Sequence, residues 1–178
     1  MPINTPISTD HSLTFEQSID YTADLLTRVD LNEITDRELQ TSIEALIGTE
    51  SGARGFFVSY LTGDWKIADH PTTAIVESLR TVPTPNAELL VKNLVMSTAM
   101  AIAHRRMGNE TQAQGSDRVR DRTANLIKLV KLAEVSRIAA LVKTAAESGI
   151  GEYNNFLTKW GYDREQRDAI AHSLEKIS

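Results

Sequence analysis

A chain of 178 residues is long enough to bury a core without staples, and one domain is the expectation. It contains no cysteine, which excludes disulfide frameworks, thiolate catalysis and cysteine-bound zinc. The formal net charge of −5 is unevenly spread: residues 1–75 carry 12 acidic and 4 basic side chains, residues 76–178 carry 12 and 15.

The first stretch, MPINTPISTDHS, is polar and has neither the basic nor the apolar region of a signal peptide. Residues 1–12 are expected to form a flexible lead and 13–178 a single all-helical domain. Thr14 and Gln17 have capping-box spacing, and the helix they open carries Phe15, Ile19, Leu25, Leu26 and Val29. Thr35 and Glu38 repeat the box, with Ile34 and Leu39 spaced as a hydrophobic staple. Leu39, Ile43, Leu46 and Ile47 then lie on one face, and Gly48 closes the helix. The bulky run Phe56–Leu61 is also expected to be helical, because Thr49 and Gly63 mark helix ends and no second strand is near to pair with. Gly52 and Gly55 inside it are expected to allow close packing or to delay the helix start. An anion at free amides beside Arg54 is the weaker reading. A short helix through Ala74, Ile75, Val76 and Leu79 follows, and TVPTPN is expected to break it.

The organising element is expected at Asn86–Arg106. Asn86 can cap it, Glu88 sits in the first turn, and His104, Arg105 and Arg106 crowd the last turn, where the helix dipole favours cations. Leu94 through Ala103 are apolar around almost the whole circumference, the pattern of a buried helix. Lys92 and Asn93 keep the apolar run well under the ~20 residues a bilayer requires. Asn93, Ser97 and His104 fall within about 40° of one another on the wheel. Local hydrogen bonding is the favoured account of that polar line; the sharper one makes the three residues line a ligand pocket.

The segment GNETQAQGS, near residues 108–117, is expected to be a mobile loop. One helix is then expected from about 117 to 148, spanning about 48 Å at 1.5 Å per residue. Such a length invites packing against a second chain. Lys128, Lys131, Glu134 and Arg137 recur every third position, so its polar side should turn about halfway round. Asp163 and Gln166 cap a last helix through Ala169, Ile170, Leu174 and Ile177.

No Glu-x-x-His pair is present, and Asp168 with His172 is a single i,i+4 pair of the kind that forms on surfaces. No metal and no cofactor is expected. Arg105, Arg106, Arg118 and Arg122 flank the 108–117 segment and are the anion-binding candidates, against a solvated ion-pair face. Nucleic acid is not the expected partner, since the whole chain is acidic. The fold expected is an all-α bundle of about seven helices around a long buried central helix. The leading functional reading is a non-catalytic, cytoplasmic interaction or regulatory protein, with self-association as a homodimer among the partner options. The alternative is a small-molecule or anion-binding helical protein, or an enzyme, using a pocket along the central helix at Asn93, Ser97 and His104 or near Arg54.

Overall fold

The computed structural model describes residues 12–177, so the expected lead falls outside the described residues, Ser12 apart. Among the described residues there are ten helices and no strand, and the all-α expectation holds. One domain is expected over 13–178; the helices gather in two compact units, divided after Asn86.

The first unit contains α1 (Phe15–Asp30), α2 (Asp36–Ile47), α3 (Glu50–Thr62), α4 (Lys66–Asp69) and α5 (Thr73–Arg80). Both predicted capping boxes form: Gln17 N–H donates to Thr14 Oγ1, Glu38 N–H donates to Thr35 Oγ1, and each side chain at the third position accepts in return. Residues 50–62 are helical as expected, with the Thr49 hydroxyl accepting from Gly52 N–H at 3.0 Å. Phe56 stacks on Tyr60 at 5.2 Å, and the Tyr60 hydroxyl donates to the carbonyl of Ile67 at 2.7 Å. A buried phenol therefore has an acceptor, which lets a tyrosine occupy the core.

The glycines of α3 are packing devices. α1 lies against α3. A Cβ on Gly55 would stand 2.4 Å from Ser18 Cβ and 2.9 Å from the Phe15 carbonyl oxygen. A Cβ on Gly52 would stand 1.8 Å from the Leu46 carbonyl oxygen, where α2 ends. Neither position tolerates a side chain without moving a backbone.

α6 (Pro83–Arg106) starts earlier than expected. Pro83 and Pro85 lie in the first turn, where the missing N–H groups have no helical partner to lose. Asn86 is therefore an interior residue rather than a cap; it is buried, and its Nδ2 donates to the Leu79 carbonyl at 2.9 Å. The helix is buried around most of its circumference, as at Leu90, Val91, Leu94, Val95 and Ala99. It is not buried all round: Met100 is 38% exposed, and Met96 and Ala103 on the same side are half-buried.

The second unit holds Ala87 onward, with α7 (Glu110–Val130), α8 (Ala133–Ser148), α9 (Asn154–Lys159) and α10 (Arg164–Glu175). Two expectations are corrected here. The 108–117 segment is not a loop: Asn109 caps α7, its Oδ1 accepting from Gln112 N–H at 3.1 Å, and Glu, Gln and Ala then carry the helix. The connection is Met107–Asn109 alone, with Gly108 in the left-handed region at φ 72° as expected. The expected 117–148 helix is two helices, because Lys131 takes a left-handed conformation at φ 53° and Leu132 is extended. The polar row that turns around the helix is resolved by a break, and the length argument for a second chain falls with it.

α10 begins with the predicted capping box of Asp163 and Gln166. Gln166 is 8% exposed, and its amide is spent twice: Oε1 accepts from Asp163 N–H at 3.1 Å, and Nε2 donates to the Ala99 carbonyl at 3.1 Å. Arg167 ties three elements together, donating to Asn154 Oδ1 on α9, to Thr158 Oγ1 and to the Ala145 carbonyl of α8.

Replacing Gly55 by Ala should destabilise the protein by about 1–3 kcal/mol, the usual cost of overpacking. Gly115 lies inside α7 with open space around it, so Gly115→Ala should stabilise by up to ~1 kcal/mol. Urea unfolding of the two variants checks both signs. Gln166→Glu keeps the capping box but removes the donor to Ala99. It should lower stability by about 1–3 kcal/mol near neutral pH, with recovery when acid protonates the new carboxyl. Equal unfolding midpoints for the variant and the parent protein would contradict the role given to that amide.

Candidate functional site

The second unit carries an open cleft of about 580 Å³ between α6, α7 and α10. Its floor is the α6 stripe Leu94, Thr98, Ala101, Ile102 and Arg105, the helical neighbours at spacings of three and four. One wall is α7, where Ala124 leaves room beside Asn125 and Lys128. The facing wall is α10, with Ala169, Ser173 and Lys176 on successive turns. Placement follows from hydrogen bonds. Gln166 grips Ala99, and one helical face further on Thr98 Oγ1 lies 3.2 Å from Ser173 Oγ. Arg106 reaches Asp163 and Glu165 at the start of α10. Arg105 reaches Asp117 of α7 and, at 3.3 Å, Glu110.

The charges around the cleft differ in availability. Arg105 and Arg120 converge on Asp117, Arg120 at 2.6 Å, and Arg120 also meets Asp121 at 2.9 Å. The Arg105 guanidinium is the main reason the Asp117 carboxyl lies below the ordinary carboxylate range. Arg106, and after it the backbone N–H of Gln166, hold Asp163 low in the same way. Lys128 and Lys176 are exposed on opposite walls, and neither has an ion-pair partner among the described residues. His172, also on the α10 wall, has Nδ1 4.0 Å from Glu175. The floor hydroxyls are tied to the scaffold. Thr98 Oγ1 donates to the Leu94 carbonyl at 2.7 Å, and no imidazole or carboxylate bonds it or Ser173 among the described residues. A serine or threonine nucleophile needs such a base within hydrogen-bond reach. The two lysines thus stand above a floor whose Leu94, Thr98 and Ala101 are almost wholly buried.

The sequence-predicted residues are distributed otherwise. Ser97 is buried and donates back to the Asn93 carbonyl at 2.6 Å, the local pattern. Asn93 and His104 are half-buried on the same side of α6, and His104 Nδ1 is buried with no hydrogen-bond partner among the described residues. This line lies roughly 100° around the helix from the cleft stripe, so none of the three lines the cleft. Arg54, on α3, rests over the Phe15 ring at 5.2 Å. Of the five arginines flanking 108–117, Arg105 and Arg120 line the cleft; Arg106 turns to α10, Arg118 is exposed, and Arg122 is buried at 4% exposure. Lys128, Lys176, Thr98 and Ser173 were not singled out as site residues. The signal was present in part, since α6 positions one residue after the polar line form the floor.

Asp168 is held by Arg164 at 2.9 Å, and no group of three His, Cys, Asp or Glu that could hold a metal occurs among the described residues. No helix there is long and apolar enough to cross a membrane.

The chain belongs to the family described as uncharacterised conserved protein UCP020893, whose model matches residues 14–177. No curated protein and no solved structure matches it.

Both depressed carboxylates stabilise the fold when ionised. Their contribution is present above the unfolded-state carboxylate pKa of about 3.9 and is lost as pH falls through the lower folded values. Thermal unfolding should therefore be level toward neutral pH and fall off below about pH 4. Arg105→Ala and Arg106→Ala should each flatten that fall, and an unchanged acid limb in both variants would contradict the assignment.

Proposed function

We propose that this chain is a non-catalytic protein that acts by binding, in protein–protein interaction or regulation, with the cleft of the second unit as its docking surface and the cytoplasm as its compartment. The observation that carries this reading is a cleft between three helices with Lys128 and Lys176 exposed on facing walls, neither ion-paired among the described residues. Arg105 and Arg120 are already ion-paired, with Asp117, Glu110 and Asp121, so among the described residues Lys128 and Lys176 are the lysines of the cleft left to meet a ligand.

A second reading, a small amphipathic anion in the same cleft, is favoured by its volume. About 580 Å³ falls within the roughly 300–1,000 Å³ of small-molecule sites. Both readings require anionic, apolar groups to bind between the three helices. The fluorescent probe 1-anilinonaphthalene-8-sulfonate has both properties. It should bind saturably, and the pair Lys128→Glu with Lys176→Glu should weaken it about tenfold or more. The control pair Lys66→Glu with Lys159→Glu makes the same change in net charge on exposed residues outside the cleft and should leave the affinity unchanged. Equal weakening by both pairs, or by neither, would remove the cleft from the reading.

A further inference from the structure

We infer that α7 and α8 can straighten into one helix, and that the chain thereby exchanges its α8–α10 segment with a second copy of itself. Each cleft of the resulting dimer is built from two chains. The exchange holds whatever the cleft binds.

The hinge carries strain that a straight helix removes. Lys131 and Leu132 alone separate α7 from α8. Lys131 stands at φ 53° and ψ 47°, the left-handed region that disfavours a residue with a Cβ. No glycine or proline lies between Ser116 and Ser148 to require a break. Lys131, Leu132 and Ala133 are among the stronger helix formers. Leu132 opens α8 with no side-chain hydrogen bond to its first amides, whereas α1, α2, α3, α7 and α10 each open with one. Lys131 N–H already donates to the Ile127 carbonyl at 3.1 Å, the bond a continuing helix makes. Straightening relaxes the left-handed residue and offers the first amides of α8 the last carbonyls of α7 as acceptors.

The segment beyond the hinge holds together by its own ties. Arg167 of α10 donates to the Ala145 carbonyl of α8 and to Asn154 and Thr158 of α9. Lys143 of α8 pairs with Glu175 of α10 at 3.0 Å. Its attachments to α6 include Gln166 to Ala99, Ser173 beside Thr98, Asp163 and Glu165 to Arg106, and the Phe156 ring under Lys92 at 5.7 Å. A straight helix from Glu110 to Ser148 is about 58 Å long and carries α9 and α10 away from the α6 of their own chain. The same segment of a second copy remakes each of these contacts. Closed and exchanged forms therefore share their packing and differ at the hinge, the condition under which segments swap. In the exchanged pair the α6 floor and α7 wall of a cleft come from one copy, and Ala169, Ser173 and Lys176 come from the other.

The test refolds the full chain from urea at about 1 µM to about 1 mM and reads the dimer fraction by size exclusion with light scattering. The parent chain should dimerise toward the upper end. Lys131→Val penalises the left-handed turn and should lower the midpoint concentration about tenfold or more. Lys131→Gly relieves the turn and weakens the straight helix, and should raise the midpoint about tenfold or more. No dimer from the parent chain at about 1 mM, or one midpoint for parent and Gly variant, overturns the inference. The Gly variant relaxes the closed fold, so this comparison does not depend on the Val variant folding. A second readout separates exchange from surface association. Thr98→Cys with Ser173→Cys introduces the only thiols in a chain without cysteine, where the two hydroxyls lie 3.2 Å apart. After oxidation, the monomer peak should run as a monomer on a denaturing gel without reductant, and the dimer peak as a covalent dimer. A dimer peak that runs as monomer overturns the exchange in favour of closed chains associating by their surfaces.

Discussion

A buried amide with two obligations fixes the second unit. The Gln166 side chain cannot leave its polar atoms unpaired at 8% exposure, and it meets that requirement by accepting from Asp163 N–H and donating to the Ala99 carbonyl. One residue therefore both starts α10 and anchors it to the middle of α6. The Thr98–Ser173 contact lies further along the same helix pair, and Arg106 holds the Asp163 end. With these three attachments in place, α10 runs beside the Leu94–Arg105 stripe, whose Leu94, Thr98 and Ala101 lie buried at the bottom of the cleft.

The remaining wall depends on where α7 stops. Lys131 turns left-handed, a conformation a non-glycine residue adopts at some cost, and α8 leaves in a new direction to pack against α10 and α9. Arg167 secures that second layer by capping the Ala145 carbonyl while bonding Asn154 and Thr158. α8 thus supports α10 and contributes no residue to the cleft. The two halves of what the residue pattern suggests as one helix thus part company: α7 lines the cleft and α8 backs α10.

Net charge is a poor guide to what this surface offers. The arginines richest in sequence, near 105–122, are largely engaged: Arg105 and Arg120 with Asp117, Arg106 with Asp163 and Glu165, while Arg122 is buried. Exposed ion pairs of this kind contribute little to stability individually, but they decide which cations remain available. Among the described residues Lys128 and Lys176 line the cleft without an ion pair, one on α7 and the other at the end of α10.

The helix starts at Thr14, Thr35, Thr49 and Asp163 were legible because a cap is a contact between residues three apart and needs no partner elsewhere. The all-α class was legible from apolar spacing for the same local reason. The 108–117 segment was misread because its glycines and polar residues resemble a loop, although Asn109 and the residues after it suffice for a capped helix. The break at Lys131 was foreshadowed only as a polar row drifting around a helix. Whether such a row twists, bends or breaks depends on what packs against each half. The same limit governed the site. A helical wheel places Asn93, Ser97 and His104 on one face and Leu94, Thr98 and Arg105 on the next, with nothing to say which face a neighbour covers. That depends on Gln166 finding Ala99 some 67 positions away. A hydrogen bond between residues so distant in the chain leaves no periodicity to read, so tertiary structure alone selects which face of α6 the cleft meets.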